Sequence, residues 1–401
     1  MTTTMHNRPV LILFFTLVVV MLGFGIVIPI LPFYVTQFGG GGSAMGSLMA
    51  IYGVTQFIFA PIWGSVSDRY GRKPILMVGV LGNAIAQLLY GFSTQLWMLF
   101  AARALAGILS SATLPTAMAY IGDSTEKSER GGKMGMIGAA MGLGMVVGPG
   151  LGGWMAHLSL SAPFFLAAGL SVAALLMILF LLPESHAAGG ARTANPKQSR
   201  LRTLVTALRS PLGVLFLMSF LISFGLTNFE GIFGLYAKLR YDFTPAQVGT
   251  VLTFIGLISA IVQGALTGPA TRRYGEVTIV RGALLSSAVG FMLMLLAQNF
   301  IQVFITSGLF VLSNAMLNPS VAALVSKRTT DEQGFTMGLN NSFLSLGRIA
   351  GPLWAGLAFD LRMFLPYLSG AAIMVIGFLI SFSIAAESPQ PDALPVNQKL
   401  S

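Results

Sequence analysis

The chain has 401 residues, 55% of them hydrophobic and only 9% charged, with a formal net charge of +10 and no cysteine; its mean hydropathy is +0.79. No soluble domain has this composition, and the lack of cysteine excludes disulfides and thiolate metal sites. The positive excess does not point to nucleic acid either, because the basic residues lie in short loops between apolar runs and form no separable patch.

Runs of about twenty apolar residues, the length that crosses a hydrocarbon core of roughly 30 Å, predict twelve membrane-spanning helices. Unbroken runs, rather than alternation over about ten residues, exclude a membrane barrel. The first span, 10–35, follows a short polar N-terminus without a small-residue cleavage site and is expected to be retained; it carries Gly23-Phe24-Gly25, Pro29 and Pro32. The second, 44–65, runs into Gly64-Ser-Val-Ser-Asp68-Arg69-Tyr-Gly71-Arg72-Lys73. There Gly64 is expected to permit close helix contact, Gly71 a tight turn, and Asp68 to accept hydrogen bonds from the N-terminus of a neighbouring helix. The third and fourth spans are 75–93 and 96–121, and the fourth contains Arg103 with Gly107 four residues on. The fifth, 134–157, holds Gly138, Gly142, Gly144, Gly148, Pro149 and Gly152. Small residues four apart let helix backbones approach, and the proline opens a gap in the hydrogen-bond ladder that acts as a bend. The sixth span is 161–182.

The polar stretch Pro183 to Ser210 divides the spans six and six and is expected to be a cytoplasmic linker. The predicted domains are thus a bundle over 1–182, the linker over 183–210, a bundle over 211–386 and a tail over 387–401. The halves repeat: GSVSDRYGR from Gly64 and GPATRRYGE from Gly268 share Gly, Arg, Tyr and Gly at an offset of 204 residues, and Gly148-Pro149 recurs as Gly351-Pro352. The predicted fold is all-α, two pseudo-symmetric six-helix bundles facing each other in the membrane.

The seventh span, 211–237, contains Glu230 in the run Leu215 to Tyr236. An ionisable group there is functional by default, and low dielectric favours its neutral form, which suits a proton carrier. The remaining spans are 247–270, 278–298, 301–325, 336–360 and 362–385. They contribute Asn314, Asn318, Asn340, Asn341 and Arg348; with Asn228 and Glu230 these are the predicted cavity residues, because polar groups in a bilayer prefer the protein interior. Arg103 and Glu230 lie at similar depths in their helices and are expected to pair, burial and pairing then acting in opposite directions on the carboxylate. Eighteen of the 23 Lys and Arg residues fall on one side if the N-terminus is cytoplasmic, so both termini are predicted inside a cell membrane.

These motifs resemble the major facilitator superfamily, and more narrowly its twelve-span drug:proton antiporters, over nearly the whole chain. The resemblance implies that Gly64, Asp68, Arg69, Gly71 and Arg72 latch the cytoplasmic side in the outward-facing state, and that the glycine motif of the fifth span marks an exporter. It also implies that Arg103 belongs to a proton-transfer motif and that Glu230, in SFGLTNFEGIFGLY, serves drug and proton as in Gram-positive multidrug antiporters. Two departures stand out: Asn314 replaces an aspartate of those relatives, and Arg348 occupies a usually uncharged site. They predict weaker attraction for cations and a shift toward neutral, zwitterionic or anionic compounds. Dedicated tetracycline exporters are similar in motif, but Val20 and Ala86 stand where their carboxylates are expected. No GxxxxGK[ST] phosphate loop is present, so an ion gradient is expected to drive the chain. The expected partners are amphiphilic drugs, protons and lipid, with no nucleic acid, no cofactor, no metal and no enzymatic activity, in a monomer. A dedicated tetracycline:proton antiporter or a proton-coupled metabolite transporter is the alternative.

Overall fold

The computed structural model describes residues 8–185, 200–329 and 333–384. The tail expected at 387–401 and most of the polar stretch after Pro183 lie outside the described residues.

Among these residues twelve long helices follow one another: α1 Arg8–Gln37, α2 Gly42–Tyr70, α3 Arg72–Gly91, α4 Leu96–Ser124, α5 Arg130–Met155, α6 Ala162–Leu181, α7 Gly213–Tyr241, α8 Pro245–Tyr274, α9 Glu276–Leu296, α10 Phe300–Arg328, α11 Gln333–Leu361 and α12 Leu365–Ser383. Eleven are long and apolar enough to cross a membrane. The exception is α11, equally long but interrupted by Asn340, Asn341, Arg348 and Asp360. It runs among spanning helices all the same: Gly347 and Gly351 press it against α7, and Gly356 against α2. A helix sheltered in this way tolerates polar residues that lipid would reject. An even number of passes puts the start of α1 and the end of α12 on one face, called here the terminal face; the other is the distal face.

The repeat read in the sequence reappears as repeated irregularities. Gly71 and Gly275, 204 residues apart, both take positive φ, +98° and +79°, and glycine reaches that region without steric cost. Pro115 and Pro319 share the same offset. Each lacks an N–H and crowds the carbonyl four residues earlier, so α4 passes through a 3₁₀ turn at Ser110–Ala112 and α10 breaks at Ala315 and Met316. Pro269 acts likewise in α8, where Val262–Leu266 widens into a π turn.

Within each half, glycines set the closest helix pair. A Cβ on Gly148 would lie 2.9 Å from the Gly25 Cα, and one on Gly152 2.9 Å from the Ile26 carbonyl oxygen, so α5 and α1 touch backbone to backbone. In the second half Gly347 meets the Phe220 carbonyl at 2.6 Å in the same way, joining α11 to α7. The polar stretch between the halves is not wholly irregular: Arg200–Leu208 forms a short helix ahead of α7.

Candidate functional site

The halves meet tightly at the distal face. Asp360, near the end of α11, accepts hydrogen bonds from Gly42 N at 2.6 Å, from Ser43 N at 2.8 Å and from the Ser43 hydroxyl, and so caps the N-terminus of α2 across the interface. A carboxylate suits the positive end of a helix, where backbone N–H groups lack intrahelical partners. A Cβ on Gly42 would lie 2.6 Å from the Gly356 carbonyl. A second seam joins α5 to α8, where a Cβ on Gly153 would lie 2.9 Å from the Gly249 Cα and Trp154 Nε1 donates to Thr250 Oγ1 at 3.0 Å. Lys238 of α7 adds a hydrogen bond to Thr36 of α1 and sits 4.9 Å from the Phe33 ring centre.

Toward the terminal face the halves part around a cavity of about 870 Å³. One wall comes from α2 and α4, with Gly53, Gln56 and Ser111; the other is the α11 stripe Asn341, Ser345 and Arg348, whose spacing puts all three on one helix face. Thr203 and Leu204 of the short helix lie at its rim.

The closed end of the cavity holds the charges. Arg348 lines it, exposed and without an ion pair or hydrogen bond among the described residues. Glu230 lies beyond, because its neighbour Gly231 packs against Pro352, one turn past Arg348. Partly exposed, Glu230 makes no hydrogen bond or ion pair among the described residues, and the charge that acts on it is that of Arg348. This differs from the expected pairing with Arg103. The Arg103 side chain, 2% exposed, turns to α2: Nε donates to the Leu48 carbonyl at 3.3 Å, Nη2 meets the Met49 sulfur at 3.0 Å, and the guanidinium lies 4.8 Å from the Tyr52 ring centre and 5.2 Å from that of Phe24. Similar depth in two helices was a poor guide, since azimuth and bundle decide which side chains meet. Tyr52 packs on the Arg103 guanidinium, and the charge of Arg348 acts on it as well.

The asparagines separate by surroundings. Asn341 lines the cavity. Asn340 is buried and accepts from Ser219 Oγ at 2.6 Å, and Asn228, fully buried, donates to the Pro366 carbonyl at 2.7 Å; both serve packing between helices rather than the cavity wall. Asn314 and Asn318 flank the break in α10, each with one buried polar atom lacking a hydrogen-bond partner, and neither lines the cavity.

The loop cluster after α2 is joined within its own half. Arg72 pairs with Asp68 at 2.6 Å and with Asp123 at 2.8 Å, and also reaches Ser67 Oγ. The N-terminus of α3 is capped by Glu184, which accepts from Arg72 N at 2.9 Å and Lys73 N at 3.1 Å, whereas the expectation gave Asp68 a capping role. Arg69 stacks on Tyr70, 5.4 Å from the ring centre. Gly64 makes no close helix contact; it lines the open cavity instead. In α5, Gly144, Gly148 and Gly152 face α1, the Pro149 carbonyl lies against Gly249 of α8, and Gly138 and Gly142 have nothing within 4 Å.

Tyr52, Gln56 and Asp360 were missed in the sequence. For Asp360 a signal existed, an acid at the end of a span, and for Gln56 another, the single amide of the second span; Tyr52 carries none, since aromatic residues recur along every span.

Residues 13–262 and 215–400 match the family model described as Major Facilitator Superfamily. Two proteins of Bacillus subtilis (strain 168) are similar over 96% of this chain and 97% of their own lengths, Multidrug resistance protein 1 at 30% identity and Multidrug resistance protein 2 at 28%. Among solved structures, the human organic anion transporter MFSD10 (TETRAN) matches with a TM-score of 0.66 at 25% identity, over 94% of this chain and 99% of that one.

Proposed function

The chain belongs to the major facilitator superfamily, and from that premise we propose that it is a proton-coupled antiporter that exports amphiphilic drugs across the cell membrane by alternating access, as a monomer with both termini in the cytoplasm. The observation that carries this reading is the asymmetry of the central space. A cavity of about 870 Å³ opens at the terminal face between the two halves, while Asp360 and the α5–α8 seam close the distal face. Such a shape suits a carrier resting with its cavity toward the cytoplasm. The names of the Bacillus relatives support drugs as cargo.

Glu230 is the proton carrier in this reading. As a free carboxylate just past the cavity it takes a proton from outside while substrate leaves, and loses it inward while substrate binds. One charge falling through 100 mV releases about 2.3 kcal/mol, enough for nearly a fifty-fold concentration ratio. Arg72, held by Asp68 and Asp123 in this state, is proposed to join the latch that closes the terminal face in the opposite one.

Everted vesicles acidified inside by respiration test the reading. Substrate addition is expected to alkalinise vesicles that hold the wild-type chain, and Glu230→Gln is expected to abolish the response at equal expression. Undiminished proton-driven efflux by that variant would refute the role of Glu230.

A further inference from the structure

The charges at the closed end of the cavity do not balance. Arg348 lines the cavity there, and the buried Arg103 lies behind its wall against Tyr52, the residue before the lining Gly53. Neither forms an ion pair among the described residues. Arg348 acts on Glu230, and Asp360 is committed to the backbone of α2 at the distal face. The described acids of the first half lie toward the terminal face: Asp68, Asp123 and Glu184 in its cluster, Glu129 paired with Lys133, and Glu126 in the loop before α5.

A buried guanidinium without a counter-ion is costly. Arg103 recovers part of that cost from the faces of Tyr52 and Phe24 and from the Leu48 carbonyl. Those groups spread its charge without cancelling it. Arg348 has no such shelter; it stands on the cavity wall beside Ser345 and Asn341, which supply hydrogen-bonding groups on the same helix face.

We propose that the cavity is built for amphiphiles that carry a carboxylate together with a cationic group: Arg348 receives the carboxylate, with Asn341 and Ser345 below it, and Glu230 faces the cationic end. This rests on the export reading above and narrows its cargo to zwitterions. A guanidinium forms paired, charge-assisted hydrogen bonds with a carboxylate, which fixes the ligand's orientation as well as its affinity. The orientation explains the exchange. A cationic group brought to Glu230 favours its ionised form and drives off the proton, while the carboxylate offsets the surplus positive charge of the two arginines. A simple cation lacks the second half of this arrangement, and a simple anion lacks the first.

Rhodamine B and its ethyl ester provide a matched pair: one ring system, a zwitterion at neutral pH in the first case and a cation in the second. Fluorescence anisotropy of each with the purified full chain gives the two affinities directly. The wild-type chain is expected to bind rhodamine B at least about tenfold more tightly than the ester, the scale of one charge-assisted contact. Arg348→Gln is expected to erase that preference by weakening the acid and sparing the ester, and Arg348→Lys to keep part of it, with thermal melts showing all three folded. Equal or tighter binding of the ester by the wild type, a preference that survives in Arg348→Gln, or no binding of rhodamine B overturns the proposal. Loss of the export reading has a different signature: the acid preference would stand in the binding assay while vesicles showed no proton-coupled movement of either dye.

Discussion

Asp360 joins the two halves with three hydrogen bonds from one carboxylate, directed at the N-terminus of α2. A hydrogen bond to a charged group contributes about 1.5–3 kcal/mol, so losing one alone shifts a two-state equilibrium about tenfold or more. Asp360→Ala is therefore expected to open the distal face. Spin labels on single cysteines placed at the outer ends of α2 and α11, free of background because the chain has no native cysteine, should report a longer second distance; an unchanged distribution would show that the cap does not hold the interface. Also at the residue scale, the exceptional character of Glu230 and Arg348 was legible because charge in an apolar run is expensive. Their neighbours were not. The partner expected for Glu230 was Arg103, yet Arg103 turns away to Tyr52 and Phe24 on α2 and α1, and the charge that reaches Glu230 comes from α11.

The glycines of α5 divide into two groups that the motif alone does not separate. Gly148 sits against α1 with no room for a Cβ, whereas Gly142 has open space. Gly148→Leu forces backbones apart and is expected to cost about 1–3 kcal/mol or more through overpacking, seen as a lower melting temperature of the purified protein. Gly142→Leu is expected to leave the melting temperature unchanged, because in this state its side chain meets nothing. If α5 and α8 close at the terminal face during the proposed cycle, the same variant slows transport. Equal destabilisation by both substitutions would mean that the two ends of the motif do the same work. The broken helices make a similar point: Pro115 and Pro319 mark where α4 and α10 fail, and the rule that proline disrupts the turn before it locates both breaks from sequence.

At the scale of the whole molecule, the repeat preserves geometry while changing chemistry. Arg72 pairs with Asp123 in the first half; 204 residues on, Glu276 pairs with Lys327 at 2.7 Å, the same connection with the signs exchanged. The halves are thus equivalent as scaffolds and different as charge distributions, which lets one central space hold a carboxylate on one helix and a guanidinium on another. Closure at the distal face has a direct test. Trp154→Cys with Thr250→Cys, joined by a short bifunctional thiosulfonate, ties α5 to α8 where these side chains meet. The linked protein is expected to bind ligand from the open face but to stop transporting until a reductant cuts the bridge. Continued transport by fully linked protein would exclude separation at this seam.

The sequence by itself determined the membrane class, the helices, the twofold repeat and the family, because hydropathy, proline, glycine and loop motifs act locally or through fixed periods along the chain. It also marked Glu230 and Arg348 as anomalies. Which face is closed, which glycines bear a helix contact, and which charges share the cavity were decided by the tertiary structure alone. The reason is physical: helix rotation and the approach of two bundles determine which side chains meet, and residues as far apart as Ser43 and Asp360, or Gly231 and Pro352, come together through packing that no local pattern encodes.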